Sequence, residues 1–249
     1  MTEPTVLVSS GPEELASRVT EHFLAAVRRA QEEGGVPSVA LTGGTVAAKV
    51  HQKVAASPDI AGVDWSRIDV WFGDERYVPR DDSDRNELQA RETLLDHLPF
   101  DPARVHAMPA SDDGHADVDA AAAAYGDEVR ADGGGLFDVV MLGVGPDGHV
   151  ASLFPGFPQL DVDDAIAVGV TGSPKPPPER ISLTFSALNR AREVWFVVSG
   201  EGKADAVAKA LASGGGSTTD VHEIPAVGVR GLERTVWFLD EGSASQLPT

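Results

Sequence analysis

Apolar side chains recur at every fourth position through Leu15, Val19, Phe23 and Val27. That spacing is one face of a helix, which Gly34 and Gly35 end. "SGPE" (10–13) ahead of it reads as a capping box, with Ser10 accepting from the amide three residues on and Glu13 reaching back. Val46, Val50 and Val54 mark a second helix, and Leu88, Leu94, Leu95 and Leu98 a third. Residues 116–131 form an alanine-rich fourth, and 201–213 a fifth. Between them stand short apolar runs: "TVLVS" (5–9), "SVALT" (38–42), "IDVWF" (68–72), "FDVVMLGVG" (137–145), "AIAVGV" (165–170), "ISLTF" (181–185), "EVWFVVS" (193–199) and "TVWFLD" (235–240). Such runs are the signature of strands covered on both faces. The alternation predicts an α/β fold: one domain over 1–249 with a doubly wound, mostly parallel sheet and helices on both faces. The proline run at 174–178 is expected to be a loop within this domain rather than a linker, and "GGGSTTD" (214–220) a second loop.

Composition narrows the partners. The 249 residues carry 39 acidic and 20 basic side chains, a formal net charge of −19, with no cysteine. Such a surface repels nucleic acid and anionic membranes, and the missing thiols exclude disulfides and thiolate chemistry. No apolar stretch approaches the ~20 residues that span a bilayer, and the N-terminus does not read as a signal peptide, so a cytoplasmic protein is expected. An anionic ligand would need a local cluster of cations and amides set against this background.

In sheets of this kind ligands bind beyond the carboxyl ends of the strands. Three strand ends stand out. "LTGGT" (41–45) places Gly43, Gly44 and Thr45 where a helix begins, which fits either an anion cradle or an ordinary tight turn. "GDERYVPRDDSDRNE" (73–87) is too polar to be core. In it Asp74 and Glu75 are candidates to orient a ligand and Arg76 to bind an anion or a carbonyl oxygen. "LGVGPDGHVASLFPG" (142–156) sets Asp147 two residues before His149, among Gly143, Gly145 and Gly148. An imidazole beside a carboxylate can move protons near neutral pH. Arg180, just before a strand, and Lys203, where a helix starts, are further cation candidates. Lys175 in the proline run could reach the same region. No metal-ligand spacing is present.

These stretches, with "DRNE" (84–87), "ERISLTF" (179–185) and "VWFVVSGEGKA" (194–204), together resemble the 6-phosphogluconolactonase family and follow its order. The resemblance implies a fold like that of glucosamine-6-phosphate deaminase and hydrolysis of 6-phospho-D-glucono-1,5-lactone to 6-phosphogluconate in the pentose phosphate pathway. It implies no obligatory cofactor or metal, and a monomer or homodimer acting on a small phosphosugar lactone. It carries phosphate binding to Thr42, Gly43, Gly44, Thr45, Arg180 and Lys203, places Arg76 beside the lactone or phosphate, and makes His149 the acid–base residue with Asp147 behind it. Arg76 or backbone amides near Gly145 and Gly148 would then hold the oxyanion. Many members carry Ser at the position of Thr42, and many read Ser-Asn where this chain has "SDRNE", so no sugar contact is assigned to Asn86. Two alternatives stand beside this reading. One is the deaminase–isomerase, which resembles this chain except that Ser152-Leu153-Phe154-Pro155 replaces its Phe-Asn-Glu-Pro. The other is a non-catalytic phosphosugar sensor, which would not need Asp147 and His149.

Overall fold

The structure is a computed structural model that describes residues 3–132, 135–212 and 219–248. The elements follow in the order β1 (Thr5–Ser9), α1 (Pro12–Glu32), β2 (Ser38–Leu41), α2 (Thr45–Ala55), β3 (Asp69–Phe72), β4 (Asp74–Arg76), α3 (Asn86–Thr93), α4 (Val118–Ala131), β5 (Val139–Leu142), β6 (Ala167–Val170), β7 (Arg180–Leu183), α5 (Phe185–Leu188), β8 (Glu193–Val198), α6 (Ala204–Ala212) and β9 (Arg234–Asp240). Six strands make a parallel sheet in the order β1-β9-β8-β5-β2-β3. From β2 the chain builds outward to β3 on one side, then returns to place β5 on the other. The crevice at this switch of direction is where a parallel sheet accepts a ligand.

Burial accounts for the apolar runs. Every residue of β5 and β8 is buried, as for strands covered on both faces. The predicted α1 stripe of Leu15, Val19, Phe23 and Val27 is buried throughout, and α1 lies against α2 and β9. Its start differs from the expected capping box. Gly11, in extended backbone, is the N-cap and Pro12 opens the first turn. The helix therefore begins one residue later than the box requires. Ser10 donates from its amide and hydroxyl to Glu14, at 2.8 and 2.6 Å, while Glu13 turns away to Lys49 and Lys53 of α2. The leucine-marked helix ends at Thr93, with Leu95 in a following 3-10 turn. The expected 214–220 loop lies outside the described residues up to Thr218.

The strands expected at 165–170 and 181–185 do not join the parallel sheet. β6 and β7 pair antiparallel and, with β4, form a separate three-stranded sheet. β4 follows β3 after the single residue Gly73. The Gly73 amide still bonds Leu41 of the large sheet, while its carbonyl accepts from Leu183 of the small one. Phe185, read as strand, begins α5 because Thr184 caps the Ala187 amide. α4 packs on β6 and β7. Among the described residues no helix is long and apolar enough to cross a membrane.

Tyr125 of α4 joins these layers. Its buried hydroxyl accepts from the Phe72 amide at 3.0 Å and donates to the Phe72 carbonyl at 3.3 Å. Burial pushes its pKa up, so the phenol stays protonated. β3 is the outer strand of the large sheet, and Tyr125 satisfies its last main-chain groups where no further strand does. Tyr125→Phe should lower the unfolding free energy by about 1–3 kcal/mol, read as a shifted urea midpoint at unchanged m-value.

Candidate active site

A cavity of about 570 Å³ opens at the carboxyl ends of β2, β5 and β8. The β2 end supplies Thr42, Gly43, Gly44 and Thr45 to its wall. α2 starts there with no side-chain cap and no acidic residue in its first turn. The Thr45 and Val46 amides carry no hydrogen bond among the described residues and border the cavity, so the helix presents its positive end to it. The Gly44 amide is not available, because it donates to Gln89 at 2.8 Å. Gly43 clears space for a neighbouring side chain. A Cβ there would overlap Oδ1 and Cγ of Asn86.

The β5 end supplies the proposed acid–base pair. Asp147 Oδ1 lies 2.5 Å from His149 Nδ1. His149 borders the cavity with its side chain 15% exposed and rests on the Phe154 ring at 4.7 Å between centroids. With Nδ1 committed to the carboxylate, the neutral ring keeps Nε2 unprotonated for a second partner. Burial alone would raise the Asp147 carboxyl, but the His149 hydrogen bond, its charge and backbone amides bring it down to about 2. The glycines beside this pair do not supply the oxyanion amides expected of them. Gly145 donates to the His149 carbonyl at 2.9 Å and Gly148 to the Gly145 carbonyl at 3.0 Å, closing a turn. Gly148 stands at φ +83° against Ile224, outside the cavity wall. Gly145 lies under the pair, where a Cβ would overlap His149 and Asp147.

The "DER" segment is strand β4, and the expectation that 73–87 is too polar for the core is overturned. Asp74, Glu75, Arg85, Asn86 and Glu87 are all buried. Glu75, expected to orient a ligand, is buried and does not border the cavity. Its Oε1 accepts from the Arg76 and Asn86 amides at 2.8 and 2.7 Å, and its Oε2 from the Glu87 amide at 2.8 Å. Asn86 and Glu87 open α3, so Glu75 caps that helix from the neighbouring strand. Desolvation pushes its carboxyl up to about 6 against the pull of Arg85 and these amides. Arg85 in turn donates to the Met108 carbonyl at 2.7 Å. Asp74 does reach the cavity, where it accepts from the Ser152 hydroxyl at 2.7 Å.

Two arginines stand directly opposite each other across β4 and β7, Arg76 facing Arg180 in register. Like charges so placed repel. Both border the cavity with Lys203 and Lys175, and none of the four has a carboxylate within ion-pair distance among the described residues. Arg76 donates to the Asp84 carbonyl, and its buried Nε has no partner. In a chain of net charge −19, four cations without a counter-carboxylate around one cavity describe a site for an anion.

Asn86, to which the sequence assigned no contact, stands at the cavity wall. It is buried at 4% exposure, donates to the Asp74 carbonyl at 2.8 Å and leaves Oδ1 without a partner at the cavity wall. The available signal was the pairing of two charge-rich triplets, "DER" and "RNE", which start eleven residues apart at Asp74 and Arg85. Away from the cavity, His106, Glu128 and Asp132 bring three potential metal-ligand atoms within 4.8 Å of one another.

Glucosamine-6-phosphate isomerases/6-phosphogluconolactonases match this chain over residues 10–237. The chain belongs to this family. Among its relatives, a 6-phosphogluconolactonase of Streptomyces coelicolor is 47% identical, the match covering 98% of this chain and 95% of that one. A 6-phosphogluconolactonase of Mycobacterium tuberculosis is 42% identical over 94% and 95%. Among solved structures, the 6-phosphogluconolactonase from Thermotoga maritima superposes with a TM-score of 0.80 at 30% identity, covering 96% of this chain and all of that one. That from Trypanosoma brucei gives 0.82 at 26% over the whole of both. A monomeric glucosamine-6-phosphate deaminase, 19% identical with a TM-score of 0.80, shares the fold. The α/β architecture read from the alternating pattern is thus the architecture of the isomerase/lactonase family.

Gly43 can be tested alone. Gly43→Ala should cost about 1–3 kcal/mol of stability through overpacking and displace Asn86 from the Asp74 carbonyl. Urea denaturation and a crystal structure of the variant check both.

Proposed function

We propose that this family member hydrolyses 6-phospho-D-glucono-1,5-lactone to 6-phosphogluconate, with His149 as the acid–base residue. The lactone carbonyl is already electrophilic, so the site needs no covalent nucleophile. Neutral His149 accepts a proton at Nε2 from the water that attacks C1, and Asp147 stabilises the imidazolium. The bond from that water to C1 forms as the carbonyl electrons move onto its oxygen. With the Gly145 and Gly148 amides closed in their turn, Arg76 is the donor left to meet this charge. Collapse breaks the bond from C1 to the ring oxygen, and the imidazolium gives its proton to that oxygen. At the other end the Thr45 and Val46 amides, the Thr45 hydroxyl, Arg180 and Lys203 hold the phosphate and fix the sugar in place.

One observation carries this reading: the cavity that collects four cations without carboxylate partners also holds the Asp147–His149 pair. An anion sensor would use the cations alone. The segment after His149 places Ser152 against Asp74 and carries no carboxylate through Phe157, so the acid that the deaminases use for ring opening has no counterpart there. The reading places the enzyme in the cytoplasm, as one domain acting alone or as a homodimer on a diffusible substrate. The direct test follows proton release from freshly prepared 6-phosphogluconolactone above its spontaneous background. Ammonia release from glucosamine 6-phosphate would overturn it.

His149→Ala should leave the fold intact and lower turnover by about 10²–10⁴-fold. A folded variant turning over at the wild-type rate removes His149 from the mechanism. Asp147→Asn has a separate signature in stability. The Asp147 pKa in the fold lies below its unfolded value, so the ionised carboxylate stabilises the fold above about pH 3.8, and this contribution is lost as pH falls through about 2. The wild type should therefore lose stability relative to Asp147→Asn across that acid window, measured by thermal unfolding at stepped pH.

A further inference from the structure

The described residues include all five lysines of the chain, at positions 49, 53, 175, 203 and 209. Lys49 and Lys53 pair with Glu13, and Lys209 pairs with Asp205. Acidic side chains outnumber basic ones 39 to 20, so a surface lysine of this protein readily finds a carboxylate. Among the described residues Lys175 and Lys203 have no carboxylate within ion-pair distance, and both border the same cavity. They reach it from different places, Lys203 from the turn after β8 and Lys175 from the loop between β6 and β7. Lys203 is held below its ordinary pKa first by burial and then by the charge of Lys175, against a smaller opposite pull from Asp147.

The loop that carries Lys175 is built, not slack. Ser173 donates from its amide to the Pro178 carbonyl at 3.0 Å and from its hydroxyl to the Lys175 carbonyl at 2.9 Å. Arg180 then fastens the loop from below. Its Nε donates to the Pro177 carbonyl at 2.9 Å, and its Nη2 to the Lys175 and Pro176 carbonyls at 3.1 Å each. Three successive carbonyls converge on one guanidinium that is 5% exposed. That use leaves Nη1 as the one nitrogen of Arg180 without a bond among the described residues. Arg180 is therefore in large part a positioning residue for the Lys175 loop.

We propose that Lys175 is a phosphate-binding residue that closes on the substrate's dianion opposite Lys203, held at the cavity mouth by the carbonyl grip of Arg180 on residues 175–177. The proposal rests on the phospholactone reading of the site and adds a ligand to it. Two like charges that border one cavity, with no carboxylate in ion-pair distance among the described residues, are at a disadvantage until a dianion joins them, and then both contribute. Because Lys175 acts on the phosphate alone, it selects phosphorylated over unphosphorylated substrate and takes no part in the proton transfer at C1.

The experiment measures inhibition of lactone hydrolysis by 6-phosphogluconate and by gluconate for the wild type, Lys175→Met, Lys175→Arg and Lys203→Met. Lys175→Met should raise the Ki of 6-phosphogluconate about 10–10²-fold, raise KM in parallel and leave the Ki of gluconate in place. Lys175→Arg should restore most of the loss. A Lys175→Met enzyme with 6-phosphogluconate inhibition within twofold of wild type overturns the proposal, as does an equal weakening of both acids, which would mean a loop disturbed rather than a phosphate ligand lost. The reading beneath it fails differently: the wild type would then neither hydrolyse phospholactone nor bind 6-phosphogluconate, and Lys203→Met would change nothing.

Discussion

The carboxylate of Glu75 receives three main-chain N–H groups, one from its own strand and two from the first turn of α3. A buried anion is costly unless its hydrogen bonds are all made, and here the helix supplies them with its own unsatisfied amides. The consequence is geometric. β4 is locked to the start of α3, which sets Asn86 over Gly43 and leaves Arg76 in register with Arg180 on β7. The Gly43 turn, the arginine pair and the Asp74 carboxylate that accepts from Ser152 are all referred to this one contact. An isolated three-residue strand has little stability of its own; the buried carboxylate gives it a fixed position.

Electrostatics then divides the molecule into two regimes. Most of the surface is acidic and solvated. At the cavity the sign reverses, through four side chains and an uncapped helix start, with only Asp74 and the remote side of the dyad negative nearby. Repulsion between Arg76 and Arg180 is offset because each guanidinium donates to main-chain carbonyls, which neutralise part of the charge without ending its attraction for an anion. Carbonyls rather than carboxylates are the suitable partners here, since a carboxylate would compete with the ligand for the same charge. The acidic exterior still disfavours anions at long range. Affinity must therefore arise within the cavity, where screening by salt is weaker.

Much of this was legible in the chain. The α1 stripe, the buried runs of β5 and β8 and the strand ends at Gly43 and His149 followed from periodicity and glycine placement, because those signals are local. What was hidden depends on partners distant in sequence. Pattern alone assigns charges to the surface, and nothing short of the contact with α3 reveals that Glu75 belongs to the core. The separate sheet of β4, β6 and β7 was invisible for the same reason. β6 and β7 have ordinary apolar runs that do not state a pairing direction, β4 is a charged triplet, and Gly73, which bonds to both sheets, marks where the chain passes from one to the other. The start of α1 is displaced by one residue, since Pro12 suits the first helical position, which makes Gly11 the N-cap and moves the reciprocal bond from Glu13 to Glu14.

The glycines of the two most telling motifs acquire a different meaning from the one their sequence suggests. Glycine beside a ligand is commonly read as backbone laid bare for hydrogen bonding. Gly44, Gly145 and Gly148 instead have their amides engaged, to Gln89 and within the His149 turn. Gly43 and Gly145 lack a side chain because another residue's functional atoms occupy that space, Asn86 Oδ1 in one case and the Asp147–His149 pair in the other. Each missing Cβ lets a polar group lie flat on the end of a strand, closer than any other residue would allow. The site is thus built from side chains stacked on bare backbone, and the donors offered to an anion come from the start of α2 and from cations on neighbouring loops. This explains how a short, tightly turned segment can hold an imidazole and its carboxylate at hydrogen-bonding distance while the ring still borders the cavity.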